Sequence, residues 1–265
     1  MKRMIGLLMM LGLVVGDVSG EDRKIKVKSY ANTQYQYYNH PENNKVTKHG
    51  WFKSFYEDET YQAVGNYKDG FKVGKWIQYH SNGQIEYEKN YKNGVKDGEW
   101  IENYKNGSIK TRGYYKDGKK DSLWVDFYFN GVKRFLGDVT CDDDCIRNQG
   151  NYKNDERTGT WVAYDPKGNK LSEGIYGVSG DTWDGKFIGF WDNNKIMYIA
   201  NYKKGEKEGE YLSYSSGSWT STYEETLDTK SIYKNGKCIP ESSFYSKRWT
   251  TPQGEQRGSR VAGCR

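Results

Sequence analysis

YKDGFKVGKWIQYHSNGQIEYEKN (residues 67–90) is followed directly by YKNGVKDGEWIENYKNGSIKTRGY (residues 91–114). The two stretches share one pattern with a period of 24 residues, and Trp76, Trp100 and Trp124 extend the same spacing. A repeat of this length is one supersecondary unit copied in tandem. Fold and function are therefore best derived from the unit.

Each copy contains two turn signals, and each signal is an Asn-Gly or Asp-Gly pair. Asp69-Gly70 and Asn93-Gly94 form the first set, whereas Asn82-Gly83 and Asn106-Gly107 belong to the second. Such pairs favour tight hairpins because they tolerate positive φ. The residues between them are rich in Tyr, Trp, Ile, Val and Phe, which favour strands. The pattern predicts a meander of short antiparallel strands.

The turns also predict which residues face each other. Treating Asn82-Gly83 as a two-residue loop places Tyr91 opposite Gly74, and the same geometry in the next copy places Tyr115 opposite Gly98. An exposed strand glycine is costly, and a cross-strand ring covers it. We therefore expect a ladder of tyrosine, glycine and tryptophan on one face of the sheet.

Later copies are recognisable by Gly159, Gly185 and Gly209, so that about seven copies extend from residue 49 to 217. The fold class we predict is all-β, an elongated single-layer antiparallel meander of about seven 24-residue β-hairpin repeats. Arrays of this kind need atypical terminal caps. Residues 21–48 are predicted to be an N-terminal cap or linker and residues 218–265 a C-terminal cap or tail.

One irregularity interrupts the array. Trp124 and Trp161 lie 37 residues apart, which is one period plus 13 residues. We expect residues 137–150 to loop out of the sheet and to leave the repeat register intact on both sides. The alternative is that the 13 extra residues form half a repeat and add one strand.

The unit Y-K-[DN]-G-x-[KR]-x-G-x-W-x-x-[YF]-x-x-[NK]-G resembles the bacterial variant of the MORN repeat, which is found in proteins labelled YwqK-type antitoxins. The resemblance covers roughly 170 residues. It implies a twisted single-layer antiparallel sheet. It also implies a scaffold that binds proteins or lipid head groups rather than an enzyme.

Residues 1–20 have the features of a secretory signal peptide. Lys2 and Arg3 precede an apolar run over residues 5–15, which is too short to span a bilayer comfortably. Small residues before Glu21 offer a cleavage site. We therefore predict export to the periplasm, the cell surface or the medium, with an uncleaved N-terminal anchor as the alternative.

The chain contains four cysteines, Cys141, Cys145, Cys238 and Cys264. An even number in an exported protein favours disulfides. Three connectivities are possible, and proximity favours Cys141–Cys145 and Cys238–Cys264. A metal site at the three aspartates between Cys141 and Cys145 is an alternative, but it lacks the glycine and distal glutamate of an EF-hand loop. We predict no metal and no cofactor.

Aromatic residues make up 16% of the chain and nearly half of its 35% apolar content, which suits a thin sheet stabilised by ring contacts. Lysines concentrate in the turns. They either form a solvated surface that keeps strand edges from pairing or a positive row that meets an anionic lipid, a glycan or an acidic partner. The candidate binding residues are Tyr91, Trp100, Tyr115, Trp124, Lys92, Lys105 and Lys116.

No zincin, Walker, nucleophile-elbow or dinucleotide motif is present, so we predict that the protein is not an enzyme. Basic residues among aromatics also occur in proteins that bind single-stranded nucleic acid, but export argues against such a partner. We expect an exported scaffold that binds a protein partner or an anionic envelope surface. The alternative is an antitoxin or immunity-type protein that neutralises a toxin by direct binding.

Overall fold

A computed structural model describes residues 24–129, 145–177, 182–191, 194–215, 226–250 and 256–262. These residues form eighteen β-strands, and none of them is helical. The described part of the chain accordingly holds no helix that could cross a membrane. The chain divides into two compact units, Met1–Gly107 and Ser108–Arg265.

The N-terminal unit is a meander in which every strand pairs antiparallel with its neighbours along the chain. Its strands are β1 (Lys26–Tyr30), β2 (Thr33–Asn39), β3 (Val46–Phe55), β4 (Tyr61–Lys68), β5 (Phe71–Tyr79), β6 (Ile85–Lys92) and β7 (Val95–Asn103). Strand pairing thus follows chain order, as a tandem hairpin repeat requires. The segment predicted as an N-terminal cap contains β1, β2 and the start of β3.

The C-terminal unit follows the same rule of antiparallel pairing between successive strands. Its strands are β8 (Ile109–Lys116), β9 (Lys119–Phe127), β10 (Ile146–Lys153), β11 (Glu156–Tyr164), β12 (Lys170–Tyr176), β13 (Trp183–Phe190), β14 (Ile196–Lys203), β15 (Glu206–Ser215), β16 (Thr226–Lys234), β17 (Lys237–Thr250) and β18 (Gln256–Ala262). The last three strands lie in the segment predicted as a C-terminal cap or tail. The all-β repeat architecture predicted from the sequence is confirmed in both units.

The first turn of the repeat has the predicted two-residue geometry at several places along the described chain. Lys68 pairs with Phe71 across Asp69 and Gly70, whose φ angles are 50° and 86°. Two successive positive φ angles define the type I′ hairpin, whose twist matches that of the flanking strands. The same angles recur at Asn93-Gly94, at 49° and 81°. Both dipeptides therefore adopt the two positive φ angles that their sequence predicts.

The second turn differs from the prediction. The Gly83 amide donates to the His80 carbonyl at 2.9 Å, and Gly83 has a φ of 83°. This is a three-residue loop, a turn followed by a left-handed glycine. The register is nevertheless the predicted one, with Gly74 opposite Tyr91, because a bulge at Glu86 compensates for the extra loop residue.

Gly74 has a different role from the one predicted. It lies in a bulge with a φ of 63°, and nothing lies within 4 Å of the place where a β-carbon would sit. Its positive φ, rather than cover by a ring, therefore accounts for the glycine. The glycine that a ring covers is Gly65 on β4, where an added methyl group would overlap the Trp76 indole. The expected contact of Tyr115 with Gly98 stays a prediction.

Strands β9 and β10 flank the irregular segment between Trp124 and Trp161. Strand β9 pairs directly with β10, with Trp124 opposite Gly150 and Phe127 opposite Ile146. Among the described residues the sheet therefore has no strand between β9 and β10, and β11 continues the repeat. Strand β10 begins at Ile146, so residues 146–150 of the segment 137–150 belong to the sheet rather than to a loop.

Some predictions fall outside the described residues. They include the signal peptide, residues 137–144 of the irregular segment, Cys141 and Cys264. Neither Cys145 nor Cys238 is a free thiol in the part of the chain that the structure describes. The pairing of the four cysteines stays a prediction.

Candidate functional site

One face of each unit carries the aromatic side chains of the repeat, and we call it the aromatic face. In the N-terminal unit the Trp76 ring is surrounded by Phe52, Tyr67 and Tyr91, with ring centroids 5.4, 5.0 and 6.5 Å away. The Tyr67 and Tyr91 rings meet Trp76 nearly at right angles, at 84° and 78°. Edge-to-face contacts of this kind add to the stabilisation that burial provides.

The C-terminal unit continues the arrangement with alternating tyrosines and tryptophans. Trp124 lies 5.2 Å from Tyr115 and 5.9 Å from Tyr152, and Tyr152 lies 5.1 Å from Trp161. Trp124 is 5% exposed, and Tyr115 and Trp161 are each 9% exposed. These rings are therefore the core of a sheet that has no second layer in the described residues. Of the predicted binding residues, Tyr115 and Trp124 serve first to hold the strands together.

The tryptophans are fixed by a repeated hydrogen bond. The indole nitrogen donates to a backbone carbonyl ten residues earlier, at 3.1 Å in each of three repeats. The pairs are Trp76 with Asn66, Trp124 with Tyr114 and Trp161 with Asn151. This bond satisfies the one polar group of a buried indole. It also sets the tilt at which each ring lies on the preceding strand.

A cation lies against the rings in nearly every repeat, at the position two residues before the bulge. Lys72, for example, has its ammonium 4.2 Å from the Trp76 ring centroid and 5.2 Å from that of Tyr91. An ammonium group is attracted to the negative face of an aromatic ring. The residues at this position with such contacts are Lys48, Lys72, Lys96, Lys120, Arg157 and Lys207. Trp183 replaces the cation in one repeat and lies 3.9 Å from Tyr176.

Lys89 is a second type of cation on this face. Its ammonium lies 3.7 Å from the Tyr87 ring centroid and 4.7 Å from that of Trp100. Burial lowers the pKa of Lys89, and the neighbouring charges of Lys96 and Lys72 lower it further. Burial, followed by the charge of Lys48, also lowers the pKa of Lys72. The face therefore holds several like charges close to one another.

Among the described residues, Lys48, Lys72 and Lys89 form no ion pair within 4.0 Å. On the opposite face, Lys75 pairs with Glu88. The difference between the two faces points to the aromatic face as the surface with unbalanced positive charge.

The turns keep the ring-bound cations in a fixed spacing. The turn amide of Gly94 donates to the Lys72 carbonyl, and that of Gly70 donates to the Lys48 carbonyl, each at 2.8 Å. The bond recurs in the C-terminal unit at the carbonyls of Lys120, Trp183 and Lys207. At these positions one repeat thus anchors the next through the backbone of the residue that lies beside the rings.

The three predicted lysines lie elsewhere. Lys92 and Lys116 are exposed beside two-residue turns, and Lys105 is exposed in a three-residue turn. The structure places them at hairpin ends, away from the rings, while Tyr91 and Trp100 are half-buried. The ring-bound lysines were missed as candidates, although the [KR] position of the repeat unit already marked them.

The site has the chemistry of a binding surface. Among the described residues no group of three or more His, Cys, Asp or Glu side chains could hold a metal ion. The N-terminal unit contains a shallow cavity of about 160 Å³ on the aromatic face. Its walls include Phe52, Tyr67, Lys72, Trp76, Lys89 and Tyr91. Rings and ammonium groups together suit an anionic ligand with an apolar part.

Comparison with protein families gives one match. The sequence model of the MORN repeat variant matches residues 72–93, 96–117 and 183–204. The three matches begin at Lys72, Lys96 and Trp183, which occupy the same position of the repeat beside the rings. No curated protein matches the chain.

Proposed function

The chain is a MORN-variant repeat protein, and from this premise we propose that it is an exported, non-enzymatic scaffold that binds a protein partner or an anionic envelope surface through its aromatic face. The observation that carries the proposal is that Lys48, Lys72 and Lys89 lie against aromatic rings and form no ion pair with a carboxylate of the described residues. Lys48 and Lys72 in successive repeats have this environment, and Lys89 lies between two tryptophan-bearing strands.

Electrostatics supports the same conclusion. Lysines that recur with the repeat produce a row of positive charge, and a row of one sign attracts an extended ligand of the opposite sign. The exposed turn lysines Lys92, Lys105 and Lys116 enlarge that positive field at the hairpin ends. The rings between the charges offer apolar contact, so that affinity would not depend on charge alone.

Reversing the three exposed turn lysines tests the role of charge. We expect K92E/K105E/K116E to weaken binding to vesicles containing phosphatidylglycerol at least about tenfold at low salt, because six units of charge change on an attracting surface. The thermal melt should stay close to that of the wild type, since all three side chains are exposed. Co-sedimentation with vesicles measures the binding.

The glutamine triple variant K92Q/K105Q/K116Q serves as the control and should have an intermediate effect. Raising the salt concentration should reduce the difference between wild type and variants, because exposed charges are screened. Unchanged binding of the glutamate variant, both to vesicles and to any captured protein partner, would refute the proposed role of the charged face.

Export and cysteine oxidation form a separate prediction. We expect cell fractionation to find the protein outside the cytosol. Alkylation without reduction, followed by mass spectrometry, should detect no free thiol and should find Cys141–Cys145 and Cys238–Cys264 peptides, because oxidising compartments preserve disulfides. A cytosolic protein with four free thiols would contradict this prediction. That result would instead support the antitoxin alternative.

A further inference from the structure

Lys89 occupies a position at which the other repeats have a small residue. Lys89 pairs with Trp76, just as Gly150 pairs with Trp124. At Gly65, Gly113 and Gly150 an added methyl group would overlap the ring of the following tryptophan. The residues at this position in the remaining repeats include Gly174 and Ala200.

The large side chain changes the packing around it. Trp100, which follows Lys89 in the repeat, is half-buried, whereas Trp76 is 6% exposed and Trp124 is 5% exposed. The Lys89 ammonium lies over the Trp100 ring at 4.7 Å, at the place where the other repeats bring the ring onto a glycine. The cavity of the N-terminal unit lies beside Lys89. The one residue that departs from the repeat thus forms part of the cavity wall.

The cavity carries positive charge that the chain does not balance. Neither Lys72 nor Lys89 forms an ion pair with a carboxylate in the described residues. Glu86 and Glu102 favour the charged form of Lys89 at longer range. Both carboxylates already accept hydrogen bonds, Glu86 from Gln78 at 3.0 Å and Glu102 from the Tyr87 hydroxyl at 3.4 Å. An incoming anion would therefore face two ammonium groups with little competition.

We propose that this recess between Lys72 and Lys89 binds a glutamate side chain of an acidic peptide segment in a protein partner. The inference rests on the proposed function and specifies the partner. A glutamate carries its carboxylate on a short apolar stem. The carboxylate would lie between the two amines, and the stem would contact the rings of Trp76 and Tyr91.

The shape of the site favours a peptide over a membrane surface. The cavity, at about 160 Å³, has room for a side chain, since about five waters of liquid density fill the same volume. Trp76 is buried at its wall, so it does not protrude in the way that interfacial anchors need to enter a lipid layer. A projecting side chain reaches such a recess more readily than the head groups of a flat bilayer do.

The test uses the full-length protein and a blocked pentapeptide, Gly-Glu-Gly-Glu-Gly, with a Gly-Gln-Gly-Gln-Gly control. Isothermal titration at low salt should show binding of the glutamate peptide only. K89G, which installs the residue found in other repeats, should weaken that binding at least about tenfold. K167Q, which changes an exposed turn lysine of the C-terminal unit, is the control and should change the affinity less than about twofold.

Each outcome decides the inference. Equal affinity of K89G and wild type would overturn it, as would equal binding of the two peptides. Binding of inorganic phosphate or phosphatidylglycerol vesicles that depends on Lys89, without peptide binding, would overturn the peptide assignment. K89G should melt at or above the wild-type temperature, because Trp100 can then pack onto a glycine. If K89G does not fold, K89Q removes the charge alone and should give the same loss.

The outcomes distinguish a failure of the glutamate site from a failure of the broader proposal. If K89G binds the peptide normally while K92E/K105E/K116E loses vesicle binding, the charged scaffold function stands and the glutamate site fails. If the glutamate site is confirmed but K92E/K105E/K116E binds vesicles normally, the proposed role of the row of positive charge is refuted instead.

Discussion

Replacing Trp124 with alanine is expected to lower the free energy of unfolding of the C-terminal unit by about 3–5 kcal/mol. The ring is 5% exposed and contacts Tyr115 and Tyr152, while the Lys120 ammonium lies 4.2 Å from its centroid. Truncation removes these contacts together with the indole hydrogen bond to Tyr114. Because the rings form the core in place of a second layer, little else can close the gap. Urea unfolding followed by circular dichroism measures the loss.

The matched control is W100A, at the same position of the repeat. Trp100 is half-buried, and Lys89 on the neighbouring strand already prevents the Trp100 ring from packing onto a glycine. We therefore expect W100A to cost clearly less than W124A, on the order of half as much. Equal losses would contradict the view that burial on the aromatic face determines stability.

Adding one methyl group at Gly113 is expected to cost about 2–3 kcal/mol, an overpacking effect at the upper end of the usual range. The new β-carbon would overlap the Trp124 ring, so the ring would have to move towards solvent. The cost comes from the ring and not from the backbone, since Gly113 is not among the residues with positive φ. Urea unfolding gives the energy, and a red shift of tryptophan fluorescence should report the displaced ring.

G159A separates this effect from ordinary backbone strain. Gly159 has a φ of 65°, and nothing lies within 4 Å of the place of an added β-carbon. Alanine there should cost about 1–2 kcal/mol, the usual penalty for a left-handed residue with a side chain. No fluorescence shift is expected. A larger loss of unfolding free energy for G159A than for G113A would contradict the view that Gly113 is needed for Trp124 to pack against it.

Local chemistry made the hairpins predictable from sequence. Asp69-Gly70 requires no distant partner to favour two positive φ angles, and the structure has them. The position of the Asn82-Gly83 turn then placed Tyr91 opposite Gly74, and the structure has this pair. The second turn could not be assigned in the same way, because Asn82-Gly83 fits both a two-residue loop and the end of a three-residue loop. Because of the bulge at Glu86, the three-residue loop gives the same pairing of β5 with β6 that a two-residue loop would give.

The roles of the glycines could not be derived from their positions alone. Gly65 and Gly74 both lie in strands, but only the structure shows that one supports a ring and the other adopts a bulge. That distinction depends on the tilt of the Trp76 indole, which a hydrogen bond to Asn66 determines. A one-dimensional pattern carries no information on that tilt.

The candidate site was predicted in part. The aromatic residues were identified because they recur, and the structure brings them together on one face within each unit. The turn lysines were chosen because turns are exposed, whereas the ring-bound lysines lie within strands. Lys89 gave a signal that could have been used, since it breaks an otherwise small-residue position with a period of 24 residues between Gly65 and Gly113.

The amides of two-residue turns in both units bind the backbone of the repeat before them, as Gly94 does at the Lys72 carbonyl. In evolutionary terms, this makes the unit a module that a duplication can copy whole. A new repeat donates its turn amide to the carbonyl of the repeat before it, and it offers its own carbonyl to the repeat that follows. Recombination between copies can thus lengthen or shorten the gene without redesigning a core. Sequence changes can then accumulate outside the turns that form this hydrogen bond. The longer connection between Phe127 and Ile146 is one such place.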